Sequence, residues 1–257
     1  MGETTGISWT DHTFNPWWGC QRVSPGCEHC YAETFAKRVG QRVWGKDAPR
    51  RFFGDAHWDE PLKWDRAAAK AGVRRRVFCA SMADVFEEYG GKDVLGEQRQ
   101  RLWHLIGETP NLDWQLLTKR PANIRRMVPV LWMIDGFPAN VWIGVTVESD
   151  DYKWRVLELN GLPIAVRFIS YEPALGPLTG HGLPAHCVNW IIAGGESGAQ
   201  HRDADPQWFR DVRDLCISIG IPFHFKQWGG RIAKSNGCEL DGQEWKQFPV
   251  GGQTGRP

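Results

Sequence analysis

The sequence predicts an α/β protein whose parallel strands, about six to seven in number, form a partial (β/α) barrel. Short apolar runs recur along the 257-residue chain, and polar residues and then a helix-like stretch follow each run. Fully apolar strands that alternate with helices are typical of βαβ units and of a parallel sheet buried on both faces. We predict one such domain over residues 1–230 and a Gly- and Gln-rich tail over residues 231–257 that wraps it.

Apolar, β-rich runs define the predicted strands in chain order. They cover residues 76–80, 113–117, 141–145, 164–169, 188–193 and 222–225, and a weaker strand precedes them at 14–18. Helices are predicted near residues 30–43, 93–107, 121–132, 150–159 and 206–219. The last helix has the clearest limits, because Pro206 suits a first turn after Asp205 and Gly220 suits a C-terminal stop. The segment 172–187 is too rich in Gly and Pro to predict a helix.

The composition is that of a globular protein with a packed core, at 42% hydrophobic and 24% charged residues. The 31 Lys and Arg residues against 30 Asp and Glu residues leave a net charge of +1, which excludes a strongly basic nucleic-acid coat but not a local basic face. No apolar run reaches membrane-spanning length, and residues 1–5 do not resemble a signal peptide. We therefore expect a cytoplasmic protein with no membrane partner. The 15 tryptophans should line the core or a surface for planar ligands.

Charged or hydroxylic side chains follow the predicted strands at their carboxyl ends. They are Ser81, Asp84, Thr118, Lys119, Arg120, Thr146, Glu148, Ser170, Glu172, Glu196, Ser197, Lys226 and Gln227. Ligands bind at this end of barrels and of open α/β sheets. Strands that merely end in polar loops would produce some of this pattern. The starts of the runs are far less acidic, however, so the pattern favours a functional rim.

Three cysteines within eleven residues are the strongest single feature. Cys20, Cys27 and Cys30 form a C-x6-C-x2-C pattern, and such a loop can bring three thiolates to one metal centre. Two kinds of centre are consistent with the spacing. A structural zinc site requires a fourth ligand, from His12, His29 or a distant cysteine. A [4Fe–4S] cluster held by three cysteines leaves one iron open to a substrate or cofactor.

A glycine-rich sequence follows the sixth strand at residues 194–198. It resembles a nest of backbone N–H groups suited to a carboxylate or a phosphate, and a plain turn with a capping serine is the alternative. The sequence contains no Walker A motif, and no G-x-G-x-x-G follows a strand. An NTPase or a dinucleotide oxidoreductase is therefore disfavoured.

Several blocks, in order along nearly the whole chain, carry a resemblance to a known family. They are residues 5–10 (TGISWT), 15–20 (NPWWGC), 24–32 (SPGCEHCYA), 81–86 (SMADVF), 117–121 (LTKRP), 144–148 (GVTVE), 170–173 (SYEP), 194–198 (GGESG) and 225–229 (FKQWG). The chain resembles the phage-type three-cysteine-motif family of radical-SAM-like proteins, which is distantly similar to spore photoproduct lyase. One departure is the first gap of six residues, since the superfamily usually has C-x3-C-x2-C.

The resemblance implies that Cys20, Cys27 and Cys30 ligate three irons of a [4Fe–4S] cluster, whose fourth iron chelates S-adenosylmethionine (SAM). Reductive cleavage of SAM would then lead to hydrogen abstraction from a substrate, with electrons from a flavodoxin- or ferredoxin-type donor. The resemblance also implies a set of SAM contacts. They are His29 beside the adenine, Ser81 and Asp84 at the methionine amino group, and Thr146 and Glu148 at the ribose. Gly194, Gly195 and Glu196 of the glycine-rich sequence are predicted to hold the SAM carboxylate, and a substrate phosphate is the alternative ligand.

The part of the rim that the fifth to seventh predicted strands form is predicted to hold a nucleoside, nucleotide or nucleic-acid substrate. Glu172 and Lys226 are the predicted catalytic residues, because a carboxylate and an ammonium can bind ribose hydroxyls and a phosphate. The predicted substrate-binding residues are Lys119, Arg120, Ser170, Tyr171, Gln227 and Trp228. One alternative function, which is not enzymatic, rests on the same cysteines and on the segments that contain Arg and Trp. In this alternative, the protein is a zinc-stabilised nucleic-acid-binding module without catalysis.

Overall fold

Seven strands follow one another in a single sheet, in the order in which they occur along the chain. The computed structural model describes residues 5–90, 94–184 and 187–249. The strands are β1 His12–Thr13, β2 Arg75–Cys79, β3 Leu112–Thr118, β4 Val141–Thr146, β5 Val166–Tyr171, β6 Trp190–Gly194 and β7 Phe223–Gln227. The pairs β1–β2, β2–β3, β5–β6 and β6–β7 are parallel. The predicted fold class, an α/β partial barrel of parallel strands, is confirmed.

The α-helices of the described residues lie between these strands along the chain. They are α1 Tyr31–Arg38, α2 Asp55–Trp58, α3 Glu60–Ala71, α4 Gly96–Glu108, α5 Ile124–Met127, α6 Val130–Ile134, α7 Trp154–Leu157 and α8 Pro206–Ile219. The limits predicted for α8 are confirmed. The Asp205 side chain accepts a hydrogen bond from the Gln207 N–H over 2.8 Å, and Gly220 ends the helix in the left-handed conformation at φ 70°.

The first strand lies earlier than predicted, at His12–Thr13 instead of residues 14–18. The Phe14 N–H still bonds the Phe78 carbonyl over 3.0 Å. Pro16 has no N–H group to continue the ladder, and Trp18 instead forms an isolated antiparallel bridge with Arg51.

The helix predicted near residues 121–132 is divided into a 3-10 turn, α5 and α6. Val128 is extended, at φ −89° and ψ 160°, because the ring of Pro129 disfavours the helical conformation in the residue before it. The helix predicted near 150–159 is likewise reduced to a 3-10 turn followed by the short α7. Two helices were missed, the four-residue α2 and the longer α3. In α3, Pro61 stands in the first turn and Gly72 forms a left-handed cap at φ 65°, so the sequence carried both signals.

The chain divides into two structural units. The first comprises Met1–Val23, Ala32–Ile143 and Leu162–Ala165, and the second comprises Ser24–Tyr31, Gly144–Gly161 and Val166–Pro257. In the first unit, Trp114 is wholly buried, with its ring centroid 5.7 Å from that of Phe14. In the second, Trp190 is wholly buried beside Phe168, at 5.8 Å. The prediction that tryptophans line the core holds for these residues.

The tail predicted from residue 231 forms a hairpin in its described part. Strands β8 Glu239–Leu240 and β9 Gln243–Glu244 pair antiparallel, and Lys246 then forms a bridge with His224 of β7. Residues 250–257 lie outside the described part of the chain. The domain boundary at residue 230 stays a prediction. Among the described residues, no helix combines the length and the apolar character that crossing a bilayer requires.

Candidate active site

In the first unit, Asp84 links the segments that follow β2 and β3. This buried carboxylate accepts hydrogen bonds from the Phe86 N–H (3.0 Å) and the Thr118 hydroxyl (2.7 Å) through Oδ1. Its Oδ2 accepts from the Lys119 N–H (3.1 Å) and from Arg120 Nη1 (2.9 Å). A carboxylate offers about four acceptor positions, so a ligand ammonium at Asp84 would have to replace one of these donors.

Arg120 places a positive charge beside the first cysteine of the motif. Its Nη1 lies 3.6 Å from Cys20 Sγ, and its Nη2 donates to the Gln21 carbonyl over 2.7 Å. Burial raises the pKa of the Cys20 thiol, and the charge of Arg120 acts in the opposite direction. Because metals bind the thiolate, the guanidinium favours the form of Cys20 that ligation needs.

Two charged residues that the sequence reasoning missed complete this cluster. Arg50 and Glu87 form a wholly buried ion pair, and Glu87 Oε1 also accepts a hydrogen bond from the Gln21 N–H over 2.9 Å. Burial raises the pKa of Glu87, although Arg50 and Arg120 oppose the rise. The sequence offered a signal for Glu87, because this residue stands three positions after Asp84 at the same strand end. Nothing in the sequence marks Arg50 as buried.

Ser81 also lies in the first unit, directly after β2. Its hydroxyl accepts a hydrogen bond from Asn15 Nδ2 over 3.0 Å, and Asn15 Oδ1 accepts one from the Met82 N–H over 2.6 Å. Asn15 therefore holds the start of the 81–86 segment, a role that its side-chain amide fits because it can donate and accept at once.

In the second unit, Glu148 holds the beginning of the segment that carries Cys27 and Cys30. The buried carboxylate accepts from the Ser24 hydroxyl (2.6 Å) and from Arg155 Nη1 (2.7 Å), and the same Arg155 atom donates to the Thr146 carbonyl over 2.8 Å. The Ser24 hydroxyl lies 3.8 Å from Cys27 Sγ. A Cβ at Gly26 would lie 2.5 Å from Glu148 Oε1, so this close approach requires glycine.

Glu196 fixes the other side of the same segment through His29 and Arg202. Its Oε2 lies 3.2 Å from His29 Nδ1, and Arg202 Nη2 donates to its Oε1 over 2.5 Å. Arg202 further donates to the Pro25 carbonyl (3.0 Å) and to Glu28 (3.1 Å). Burial alone would raise the pKa of Glu196, but hydrogen bonds from Arg202 and His29 hold it below its usual value of 4.5.

The glycines after β6 allow two backbone segments to pack closely together. The Gly195 N–H donates to the Gln227 carbonyl over 3.0 Å, and the Gly198 N–H donates to the Gly230 carbonyl over 3.0 Å. A Cβ at Gly195 would overlap the Trp228 carbonyl oxygen. These two N–H groups of the predicted anion nest are therefore occupied by the neighbouring strand segment.

Glu172 and Lys226, the predicted catalytic residues, form an ion pair in the second unit, with Lys226 Nζ 2.5 Å from Glu172 Oε1. Both side chains are partly exposed, at 19% for Glu172 and 17% for Lys226. A partly exposed pair of this kind can bind a polar ligand by exchanging partners.

The other predicted substrate residues of this unit have partners within the chain. The buried Tyr171 hydroxyl donates to the Gly176 carbonyl over 2.5 Å, and burial raises its pKa. Gln227 Nε2 donates to the Ser197 hydroxyl over 2.8 Å, and Trp228 Nε1 donates to the Glu239 carbonyl over 2.8 Å. Ser170 is buried in β5. Their roles toward a substrate stay predictions.

The donor chemistry of the three-cysteine segment fits an iron–sulfur cluster. All seven cysteines lie in the described residues and are free thiols, and the three of the motif are partly exposed. Thiolate sulfur is the ligand that such clusters use, and Arg120 supplies a compensating charge at Cys20. Across the described ranges, no group of three or more His, Cys, Asp or Glu side chains is arranged to hold a metal ion.

The strand order and the polar residues at the strand ends define the class of protein, an α/β partial barrel with a three-cysteine segment. The chain belongs to DUF5131, a family described as "Protein of unknown function", whose sequence model matches residues 4–249. The predicted phage-type family stays a prediction. A comparison with curated proteins found no match.

Two solved structures of spore photoproduct lyase variants are similar to this chain at 15% identity. One, with bound AdoMet and a dinucleoside spore photoproduct, has a TM-score of 0.47, with 80% of this chain and 60% of that chain covered. The other has a TM-score of 0.48, with 83% and 64% covered. The chain thus spans less than two thirds of the length of these structures.

Proposed function

We propose that this protein is a radical SAM enzyme that acts on a nucleoside, nucleotide or nucleic-acid substrate. The observation that carries the proposal is the contact of Arg120 with Cys20, the first of three free cysteines, beside the carboxyl ends of β2 and β3. When bound at Cys20, Cys27 and Cys30, a [4Fe–4S] cluster would supply the one-electron reductive cleavage of SAM. The electron donor would be a flavodoxin- or ferredoxin-type protein of the cytoplasm.

The chain's own contribution in the first unit is to position and balance Cys20. Arg120 offsets the negative charge that a thiolate brings, since its guanidinium lies 3.6 Å from the sulfur. Glu87 holds the next residue, Gln21, through its backbone N–H, and Arg50 keeps Glu87 in place. These contacts fix the position of Cys20 through the neighbouring backbone as well as through its own side chain.

In the second unit, two carboxylates position the segment of Cys27 and Cys30. Glu148 acts through Ser24, and Glu196 acts through His29 and Arg202. We propose the SAM contacts that the sequence predicts, namely His29, Ser81, Asp84, Thr146, Glu148, Gly194, Gly195 and Glu196. The Gly195 N–H already donates to the Gln227 carbonyl, so a SAM carboxylate at this group would have to replace that hydrogen bond.

On the substrate side, the partly exposed pair of Glu172 and Lys226 is proposed to bind and orient the substrate. Lys226 would take a phosphate, and Glu172 would accept a hydrogen bond from a ribose hydroxyl. Lys119, Arg120, Ser170, Tyr171, Gln227 and Trp228 complete the proposed substrate-binding set.

The test is metal and sulfide analysis after anaerobic reconstitution, followed by a SAM-cleavage assay under reduction. The proposal expects a brown protein that contains iron and sulfide and forms 5′-deoxyadenosine. Cys20→Ala, Cys27→Ala and Cys30→Ala should each lose the colour. Cys238→Ala is the matched control, because its thiol donates to Glu244 within the hairpin, and it should keep the cluster.

A colourless protein with about one zinc per chain would overturn the proposal and favour the zinc-stabilised nucleic-acid-binding module. In that case Cys20→Ala should also unfold the chain, because a structural zinc contributes folding free energy. Under the proposal, the same substitution abolishes activity while the unfolding transition remains.

A further inference from the structure

We infer that the first unit carries a docking surface for single-stranded nucleic acid. Five residues form it: Trp18, Phe35, Arg51, Phe52 and Phe53, which we name the aromatic–arginine surface. None of them belongs to the proposed site, and Trp18 stands two residues before Cys20 in the chain.

Trp18 is the buried base of this surface, and the rings of Phe35 and Phe53 pack against it. Its ring centroid lies 5.9 Å from that of Phe35 on α1 and 5.9 Å from that of Phe53. Phe52 directly follows Arg51 in the chain. Two backbone hydrogen bonds, of 2.9 and 3.0 Å, join Trp18 to Arg51. The surface is therefore held by backbone pairing and does not depend on side chains alone.

Arg51 stacks on two of these rings. Its guanidinium carbon lies 4.8 Å from the Trp18 ring centroid and 5.2 Å from the Phe53 ring centroid. A guanidinium that packs through its face keeps its in-plane N–H groups for other acceptors, and those groups match the geometry of a phosphate. Arg51 is exposed and makes no ion pair with any described residue.

Two phenylalanines leave large parts of their rings in solvent, 42% of Phe35 and 43% of Phe52. Exposed rings beside a cation are the arrangement on which nucleic-acid bases stack. An apolar partner would not need the arginine, and a purely charged partner would not need the rings. A single strand satisfies both because its bases are unstacked while its phosphates remain available.

The local charge agrees with a polyanion. Between residues 35 and 53, the exposed cations Arg38, Arg42 and Lys46 make no ion pair within the described part of the chain, and the sequence of this segment has one acidic residue, Asp47. The carboxylate of Glu33, on the same helix as Phe35, is neutralised by Arg22 at 2.9 Å and by Lys37 at 2.7 Å. This segment is thus locally basic in a chain whose net charge is only +1.

The inference deepens the proposed function, because it selects nucleic acid among the proposed substrate classes. Binding is measured without SAM and without reduction. A failure of binding therefore leaves the cluster and SAM-cleavage results untouched, and a failure of those assays leaves the binding result untouched.

The experiment is fluorescence anisotropy of the full-length protein with a labelled oligothymidylate of about twelve nucleotides and with a duplex of the same length. Phe35→Ala and Phe52→Ala should each weaken single-strand binding about tenfold. Arg51→Ala should weaken it and reduce the salt dependence by about one phosphate contact. Each variant is checked for an unchanged thermal unfolding transition.

Two matched controls separate this surface from general effects. Leu131→Ala removes an apolar side chain from α6 of the same unit, and Leu131, at 64%, is more exposed than either phenylalanine. Arg66→Ala removes an exposed cation from α3. Both should bind like the parent protein. The inference is overturned if the phenylalanine variants bind like the parent, or if the duplex binds as tightly as the single strand. It is also overturned if only an acidic redox protein binds and Phe35→Ala abolishes that binding.

Discussion

Arg50 donates two hydrogen bonds to Glu87, from Nε to Oε2 over 3.0 Å and from Nη2 to Oε1 over 2.9 Å, and both side chains are wholly buried. Arg50 also donates to the carbonyls of Val43, Gly45 and Ala48. The pair therefore connects the segment before α2 with the segment after β2. Because Glu87 also binds the Gln21 backbone, the three-cysteine segment begins on a buried ionic cluster.

Replacement of Glu87 by Gln should lower the free energy of unfolding by about 3–5 kcal/mol, because it leaves the buried Arg50 charge without a counterion. Urea denaturation measures this loss. The neighbouring Glu88 is the matched control, since its pair with Arg126 is on the surface, at 63% and 51% exposure. Glu88→Gln should cost less than about 1 kcal/mol, and equal losses in the two variants would contradict the argument.

The low pKa of Glu196 predicts a specific dependence of stability on pH. Hydrogen bonds from Arg202 and His29 outweigh burial and hold this pKa below 4.5. The folded carboxylate then binds protons less readily than the unfolded one. Its contribution is present above pH 4.5 and is lost as the pH falls through the folded pKa.

In the Glu196→Gln variant, the free energy of unfolding should therefore fall less steeply than in the parent as the pH decreases below 4.5. Urea denaturation at a series of pH values measures it. The exposed Glu239 provides the control, and Glu239→Gln should keep the parent's pH dependence. Identical pH profiles for Glu196→Gln and the parent would show that the contacts of Glu196 do not stabilise the fold.

Gly195→Ala should destabilise the protein by about 1–3 kcal/mol, because the new methyl group overlaps the Trp228 carbonyl and backbone cannot rotate away as a side chain can. Gly107→Ala should have the opposite sign. Gly107 lies in α4 with open space around its Cβ position, so alanine should raise the free energy of unfolding by about 0.5–1 kcal/mol. Thermal unfolding of the two variants distinguishes the signs, and two losses of equal size would refute the steric explanation.

Lys226→Ala and Glu172→Gln should each reduce substrate-dependent turnover about tenfold or more, since each removes a charged hydrogen-bonding group. Iron content and SAM cleavage without substrate should remain at the parent level. Lys226→Arg, which keeps the charge, should retain more turnover than Lys226→Ala. If the variants lose the brown colour on purification, Glu172 and Lys226 are structural ion-pair partners and the substrate binds elsewhere.

The strands were predictable because each is a short apolar run that is buried in a parallel sheet. In β4, all six residues of Val141–Thr146 are buried, and no alternating pattern competes with that interpretation. Helix limits were predictable where local chemistry sets them, as at Asp205 and Gly220. The division of the 121–132 segment was missed although the sequence carried a local signal, since Pro129 disfavours the helical conformation at Val128.

The candidate site was predictable in its positions but not in its pairings. Asp84, Glu148 and Glu196 were identified from their places after strands, since the carboxyl ends of parallel strands meet at one edge. Their partners Arg155 and Arg202 were missed. An arginine looks solvent-exposed in sequence, and only the tertiary structure reveals that Arg155 is buried against Glu148 and that the partly exposed Arg202 pairs with the buried Glu196.

The hydrogen bond from Arg202 to the Pro25 carbonyl joins residues 177 positions apart. The segment that contains Pro25, Cys27 and Cys30 emerges from the ribosome long before Arg202 is synthesised. The nascent cysteine segment therefore lacks this restraint for most of translation. The same holds for the contact of Ser24 with Glu148, 124 residues downstream. We expect the segment to acquire its final conformation only near the end of synthesis, so its thiols stay accessible to solvent until then.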